Sequence, residues 1–379
     1  MKKLLWAAAA LLVIACGKTP DPEMTTRIST DGIPASVQKV FILNEGGMGS
    51  NNASLDMWRF SDGGWFLSIF KKANPSVGAG LGDVGNDIAV NGDEVWIVVN
   101  NSGIVEVISA STHKEITAIS VPTPRHIAFD DTYAYVSSWA GAYATYDANY
   151  ALVDSKNPIG VVYRINLATK KVDGSVEVGY QPEGVAVSGG KLYVANSGGI
   201  ASQTGAGYDN TVSVIDLSTF KVTETIEVAP NLKEVFALDN GSIYVTAIGD
   251  YWSVHSGLYM LSGEGVKKIA DYVSTAAACG NSVYCIGTEK EWDYTAEDKE
   301  YFAWSSHDGY FTAWNFDVSR IKTPYGLCVI DSNGEGWANA VLVADAGDYF
   351  NPGSVSYYYK GTFVGTAPAG VIPGHFAIW

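Results

Sequence analysis

From Gly85 onward the chain repeats one polarity pattern: an apolar strand, a tight polar turn, then a second strand rich in Val, Ile and Tyr. It reads "GNDIAVNGDEVWIVVN" from Gly85, "PRHIAFDDTYAYVSS" from Pro124 and "PEGVAVSGGKLYVAN" from Pro182. It returns as "KEVFALDNGSIYVTA" from Lys233, "VSTAAACGNSVYCIG" from Val273 and, with a longer turn, "PYGLCVIDSNGEGWANAVLVAD" from Pro324. Period-two strands bounded by Gly, Asp and Asn are hairpins. After each comes a variable loop and a second hairpin, clearest in "GVVYRINLATKKVDGSVEV" and "TVSVIDLSTFKVTETIEV". Four strands per unit, with units of roughly forty to sixty residues, are the signature of a β-propeller blade. No long stretch has helical periodicity.

Six units run from Gly85 to about Thr366. "VQKVFILNEGG" near the start matches only a second strand, and the terminal "IPGHFAIW" only a first strand. Joined, they predict a seventh blade. The expected fold is therefore all-β: a seven-bladed β-propeller closed by the C-terminal strand joining the N-terminal blade, over residues 37–379. A β-sandwich pair or a β-helix leaves the split first and last repeats without a reason.

This topology sorts the loops. With strands A to D numbered outward from the axis and alternating in direction, the links into A and the B–C loops share one face. The A–B and C–D turns lie on the other, and nearly all are short. The B–C loops are long and unequal, and they carry the aromatic residues: Trp139, Tyr143, Tyr146, Tyr150, Tyr208, Tyr251, Trp252, Trp292, Tyr294, Tyr301, Phe302, Trp304, Tyr349 and Phe350. Gly-Asp-Tyr-aromatic occurs twice, at 249–252 and 347–350, as equivalent loops of blades 5 and 7. The residues opening the A strands, Asn86, Arg125, His126, Glu183, Lys233, Tyr325 and His375, are expected at the channel mouth and differ in kind from blade to blade. A bowl of aromatic rings edged with polar groups suits a large, flat, partly apolar ligand, and an exposed aromatic patch marks a binding site. The competing reading is that individual rings pack the loops against each other.

The chain opens "MKKLLWAAAALLVIAC", two lysines and an apolar run too short to span a membrane, which predicts a signal peptide over residues 1–15. "VIAC" resembles a bacterial lipobox, which implies cleavage before Cys16 and lipidation of Cys16, leaving residues 16–36 as a polar tether. The protein is then anchored to a membrane by lipid and does not span it. The formal charge is −16, and loss of Lys2 and Lys3 takes it to −18. Such a protein does not bind nucleic acid electrostatically. Cys279, Cys285 and Cys328 remain; the first two flank a hairpin turn at diagonal positions, the third lies in an apolar run, and none has metal-site spacing.

Chemistry is weakly marked. His113 falls on a C–D turn, whereas His126, His255, His307 and His375 are expected on the loop face, with no two from one short motif. No G-x-S-x-G elbow is present. Asn44, Asn100, Asn196 and Asp345, at the ends of B strands, are the oxygens that a calcium-dependent lactonase-like hydrolase would draw on; the alternative role for such residues is to satisfy loop backbone groups.

The lipobox, the "LYVAN…TVSVIDLSTFKVTETIEV" repeat and the Tyr- and Trp-rich B–C loops together resemble a known group. The repeat is similar to that of YncE-like and surface-layer-type propellers. The whole resembles the surface lipoproteins of gut Bacteroidetes that capture cobalamin. That resemblance implies a non-enzymatic, monomeric receptor that binds cobalamin or a related corrinoid on the loop face. It also implies a TonB-dependent outer-membrane transporter as partner and an outer-membrane, outward-facing location without further cofactors. It assigns ligand contacts to the A-strand openers above, to the loop aromatics and to Asn196, His255 and Asp345. It implies amide bonding from Asn, Asp, Glu and Lys, and a phosphate contact from Arg125 or Lys233. A glycan-binding lipoprotein or the calcium-dependent hydrolase are the alternatives.

Overall fold

The computed structural model describes residues 23–78, 80–141, 144–146, 152–155, 158–199, 207–291, 300–314, 317–332 and 339–379. Seven blades, each an antiparallel sheet, follow one another around an axis. In blades 2 to 7 the strands run in sequence order from the inside out, and Ala144–Tyr146 with Leu152–Ser155 forms a further two-stranded sheet. Blade 2 is Gly85–Asn91, Glu94–Val99, Ile104–Ser109 and Glu115–Ser120. Blade 3 is Pro124–Phe129, Tyr133–Ser138, Ile159–Asn166 and Lys171–Tyr180. Blade 4 is Pro182–Ser188, Lys191–Asn196, Thr211–Asp216 and Lys221–Glu227. Blade 5 is Leu232–Ala237, Ile243–Ala247, Gly257–Ser262 and Gly265–Asp271. Blade 6 is Thr275–Cys279, Ser282–Gly287, Phe302–His307 and Tyr310–Trp314. Blade 7 is Pro324–Ile330, Ala340–Asp345, Pro352–Tyr359 and Thr362–Val371.

Blade 1 is the composite that the split repeats predict. Pro373–Ile378 is its innermost strand and pairs with Lys39–Asn44, followed outward by Ser54–Arg59 and Gly64–Phe66. Trp379 fastens the end. Its backbone carbonyl accepts from the amides of Gln38 and Lys39, its indole donates to Gly92 O of blade 2 at 3.1 Å, and the Lys39 ammonium lies 4.3 Å over its ring.

The core lies between blades. Seven apolar clusters each join two consecutive blades, including blade 7 to blade 1 through Val40, Ile42, Trp58, Leu342 and Tyr357. Alternate residues of one strand serve opposite neighbours: Val40 and Ile42 face blade 7, and Phe41 and Leu43 face blade 2. A strand covered on both faces is apolar throughout, which is why the inner strands read as unbroken runs. Near the axis the strands crowd. A Cβ on Gly184 would meet the Glu234 backbone at 2.7 Å, and one on Gly326 would meet Gly374 O at 2.3 Å, so only glycine fits there.

Three expectations change. Residues 16–36 were expected as tether, yet Thr26–Arg27 adds a fifth strand to the outer edge of blade 1, Ile28 is buried between blades 1 and 7, and Gly32 O accepts from Ser332 Oγ at 2.6 Å. Cys279 and Cys285 do not approach each other. They face opposite sides of their sheet, Cys279 toward blade 7 and Cys285 toward blade 5, and both are free thiols, as is the buried Cys328. His307 lies on the turn face, since it pairs with Tyr310 across the C–D turn and with Ser282 beside the A–B turn. Cys16, with the signal segment, lies outside the described residues. No helix of the described residues is long and apolar enough to cross a membrane.

Candidate ligand-binding site

Each A strand begins at the loop face, so the side chains that open it meet around the axis. Asn86, Arg125, His126, Glu183, Lys233, Tyr325 and His375 all line one axial cavity of about 1010 Å³, together with Trp139, Tyr208, Tyr251 and Trp252 from B–C loops. Glu45, Met48, Asp87 and Glu234 are also on its wall.

The ring is knit by charge. Arg125 Nε donates to Glu183 Oε2 at 2.8 Å, and its guanidinium lies 4.5 Å over the Trp139 ring, whose indole donates to Glu183 Oε1 at 3.2 Å. His126 Nδ1 is 3.4 Å from Asp87 and 3.7 Å from Glu234, and its Nε2 is 3.7 Å from Glu183. Burial pulls the His126 pKa down, but the charge of Glu234, the hydrogen bond and charge of Asp87 and the charge of Glu183 outweigh it and raise it to about 9. Across the axis His375 Nε2 is 2.9 Å from Glu45 Oε1, and Tyr325 OH donates to Glu45 Oε2 at 3.1 Å. Burial pushes the Glu45 carboxyl up; the hydrogen bond and charge of His375 and the Tyr325 hydroxyl bring it below its ordinary value.

The His126 pairing carries a pH signature. A histidine whose pKa is raised on folding stabilises fully below the unfolded pKa, about 6.5, and loses that stabilisation as pH rises through about 9. Lys39, drawn down to about 8 by burial and then by Arg59, acts in the opposite sense above pH 8 and is common to wild type and variant. Melting temperatures are therefore expected to fall more steeply from pH 6.5 to 9 in wild type than in His126→Gln. Equal slopes would overturn the assignment.

The repeated Gly-Asp-Tyr-aromatic loops share one construction. Asp250 Oδ1 accepts the amides of Trp252, Ser253 and Val254, and Asp348 Oδ1 those of Phe350 and Asn351. These Asx turns hold Tyr251 and Tyr349 in left-handed backbone, φ 63° and 67°. The amide of Val254 foremost, then the Ser253 hydroxyl and the Trp252 amide, holds the Asp250 carboxyl far below its usual range. In consequence the next ring stands out of the surface: Trp252 is 88% and Phe350 86% exposed, as is Met48 of blade 1 at 80%. Tyr349 leans inward, its ring 5.7 Å from that of Tyr325.

Several expected contacts fall elsewhere. Trp304 is fully buried between blades 5 and 6 beside Phe311, because its segment continues strand C and not the loop. Asn196 is buried, donating to Thr211 Oγ1 and Ser213 Oγ and accepting from Gly179 N, so it holds the loop. Asp345 likewise accepts the amides of Lys322, Thr323 and Gly347. Asn44 and Asn100 bond Ser54 O and Pro124 O. His255 sits by Glu291 at 3.3 Å, away from the axial cavity. Phe350 is on the loop face but lines no cavity described here. Tyr143, Trp292 and Tyr294 lie outside the described residues, and Tyr146 is placed only within the short strand Ala144–Tyr146. Among the described residues, no group of three or more His, Cys, Asp or Glu is arranged to hold a metal ion. Sequence reasoning missed Asp87, Glu234 and Glu45; the first two are simply the next residues along strands whose openers it named.

The family model described as "Domain of unknown function (DUF5074)" matches residues 38–308. Among curated proteins none matches the chain. Of solved structures, Kuenenia stuttgartiensis hydrazine synthase superposes with TM-score 0.58 at 14% identity, covering 77% of this chain and 88% of that one, a likeness of fold. The computationally designed Ika8 protein aligns with TM-score 0.47 at 11% identity, over 78% and 95% of the two chains.

Proposed function

The chain belongs to the DUF5074 family, and we propose that it is a non-enzymatic, lipid-anchored receptor that takes cobalamin on the loop face of its propeller and passes it to a TonB-dependent outer-membrane transporter. One observation carries the reading: the long loops place aromatic rings around a polar-edged axial cavity of about 1010 Å³. Pockets of roughly 300–1,000 Å³ enclose drug-sized ligands. A corrinoid is larger, so it would lie across the mouth, its broad apolar faces against rings such as Tyr251 and Trp252 and its fringe of amides against Asn86, Glu183 and Glu234.

The charged ring supports binding over catalysis. His126 stays protonated up to about pH 9 and so is no general base near neutrality. Lipidation of Cys16 supplies the anchor, and the outer leaflet of the outer membrane is the location that fits a receptor for a transporter.

Calorimetry of mature protein with cyanocobalamin is expected to show one site per chain. Membrane fractionation of Cys16→Ala is expected to show release into the soluble fraction. No heat with any corrinoid would sink the ligand, and binding of an oligosaccharide instead would replace it. Persistence of Cys16→Ala in washed membranes would sink the anchor.

A further inference from the structure

A second cavity of about 1040 Å³ opens off the axis on the same face, between blades 5, 6 and 7. The two meet at Lys233, Glu234, Tyr251 and Tyr325, which line both. The charges around this junction are unequally committed. Arg125 is held on its edge by Glu183 and on its face by Trp139. His126 is neutralised by Asp87, Glu183 and Glu234, and His375 is paired with Glu45.

Lys233 is half-buried, and among the described residues no ion pair or side-chain hydrogen bond reaches its ammonium. In the side cleft Glu291 is taken up by Ser256 and His255. The remaining charges, Glu300, Asp317, Arg320 and Lys322, are exposed. A cation on a cavity wall that is engaged in no ion pair of its own is open to a charge-assisted contact with an arriving anion.

We propose that the side cleft is a second subsite, which takes an anionic arm of the ligand, a phosphate or carboxylate, onto Lys233 while the body of the ligand covers the axial mouth. The assignment rests on the corrinoid reading, in which the arm is the phosphodiester of the nucleotide tail. It also separates the two cations that sequence left equal: Arg125 is spent on the ring, and Lys233 is the anion contact. Tyr251 stands at the junction, between plate and arm.

The test compares cyanocobalamin with dicyanocobinamide, which lacks the nucleotide and its phosphate, on full mature protein and on Lys233→Met. Loss of one charge-assisted contact is expected to weaken cyanocobalamin about tenfold. Dicyanocobinamide should change by less than about twofold by the same reasoning. Lys233→Arg should restore most of the loss, and the salt dependence of cyanocobalamin binding should flatten in Lys233→Met. Melting temperatures confirm that the variants are folded. Equal losses for both corrinoids, or none for either, would overturn the subsite while leaving the corrinoid reading intact. Failure of both to bind wild type would overturn the reading, and the subsite with it.

Discussion

Removal of residues 372–379 is expected to abolish cooperative unfolding altogether, leaving a chain with no folded baseline by circular dichroism. The deletion takes away the innermost strand of blade 1, whose backbone pairs with Lys39–Asn44 along that strand's length. It strips Phe376 from the blade 7–1 core, Ala377 from the blade 1–2 core and the Trp379 contacts to Lys39 and Gly92. The deletion removes the whole inner ladder of blade 1 with the half-buried Phe376 and Trp379, and a whole domain commonly holds only about 5–15 kcal/mol. An open ring also presents Lys39–Asn44 as a long apolar edge, which invites pairing with other chains. A truncated protein that melts at the wild-type temperature would refute closure by this strand.

The fold was legible because a propeller repeats. Each blade restates the same strand–turn–strand polarity, so errors in one unit are corrected by the next, and the split "FILN" and "HFAI" fragments declare the closure. The A-strand openers were legible for the same reason: strand direction alone sends Arg125, Lys233 and His375 to one mouth. What sequence did not carry is the fate of polar side chains one residue away from regular structure. Asn196 and Asp345 have the composition of ligand contacts, yet the amides of adjoining loops, Gly179 and Thr323 among them, consume their oxygens. Trp304 was misplaced because the boundary between loop and strand C in blade 6 has no turn residue to mark it; its register opposite Cys285 turns it into the core. The tether was misread because Thr26–Arg27 is too short to show periodicity and is fixed only by its partner, Gly64–Trp65.

The loop face is tested most directly by its paired rings. Tyr251→Ala with Trp252→Ala, and separately Tyr349→Ala with Phe350→Ala, are each expected to weaken cobalamin binding by about thirtyfold or more, the consequence of losing roughly 2 kcal/mol at a binding hot spot. Asp250 and Asp348 are left in place, so the Asx turns that shape both loops persist. Within each pair the roles differ. Tyr251 borders both cavities and Tyr349 abuts Tyr325, whereas Trp252, at the rim of the axial cavity, and Phe350 stand mostly in solvent and gain most contact area when something covers them. A ring that is 88% exposed contributes little to folding, so Trp252→Ala alone should leave the melting temperature unchanged while lowering affinity. Asp131→Ala and Thr219→Ala, on the turns of the opposite face, should alter neither. If these turn variants reduce binding as much as the aromatic pairs do, the ligand does not sit where the long loops converge. If only the inward Tyr251 and Tyr349 matter, the ligand is held within the cavities, and Trp252 and Phe350 answer to some other surface.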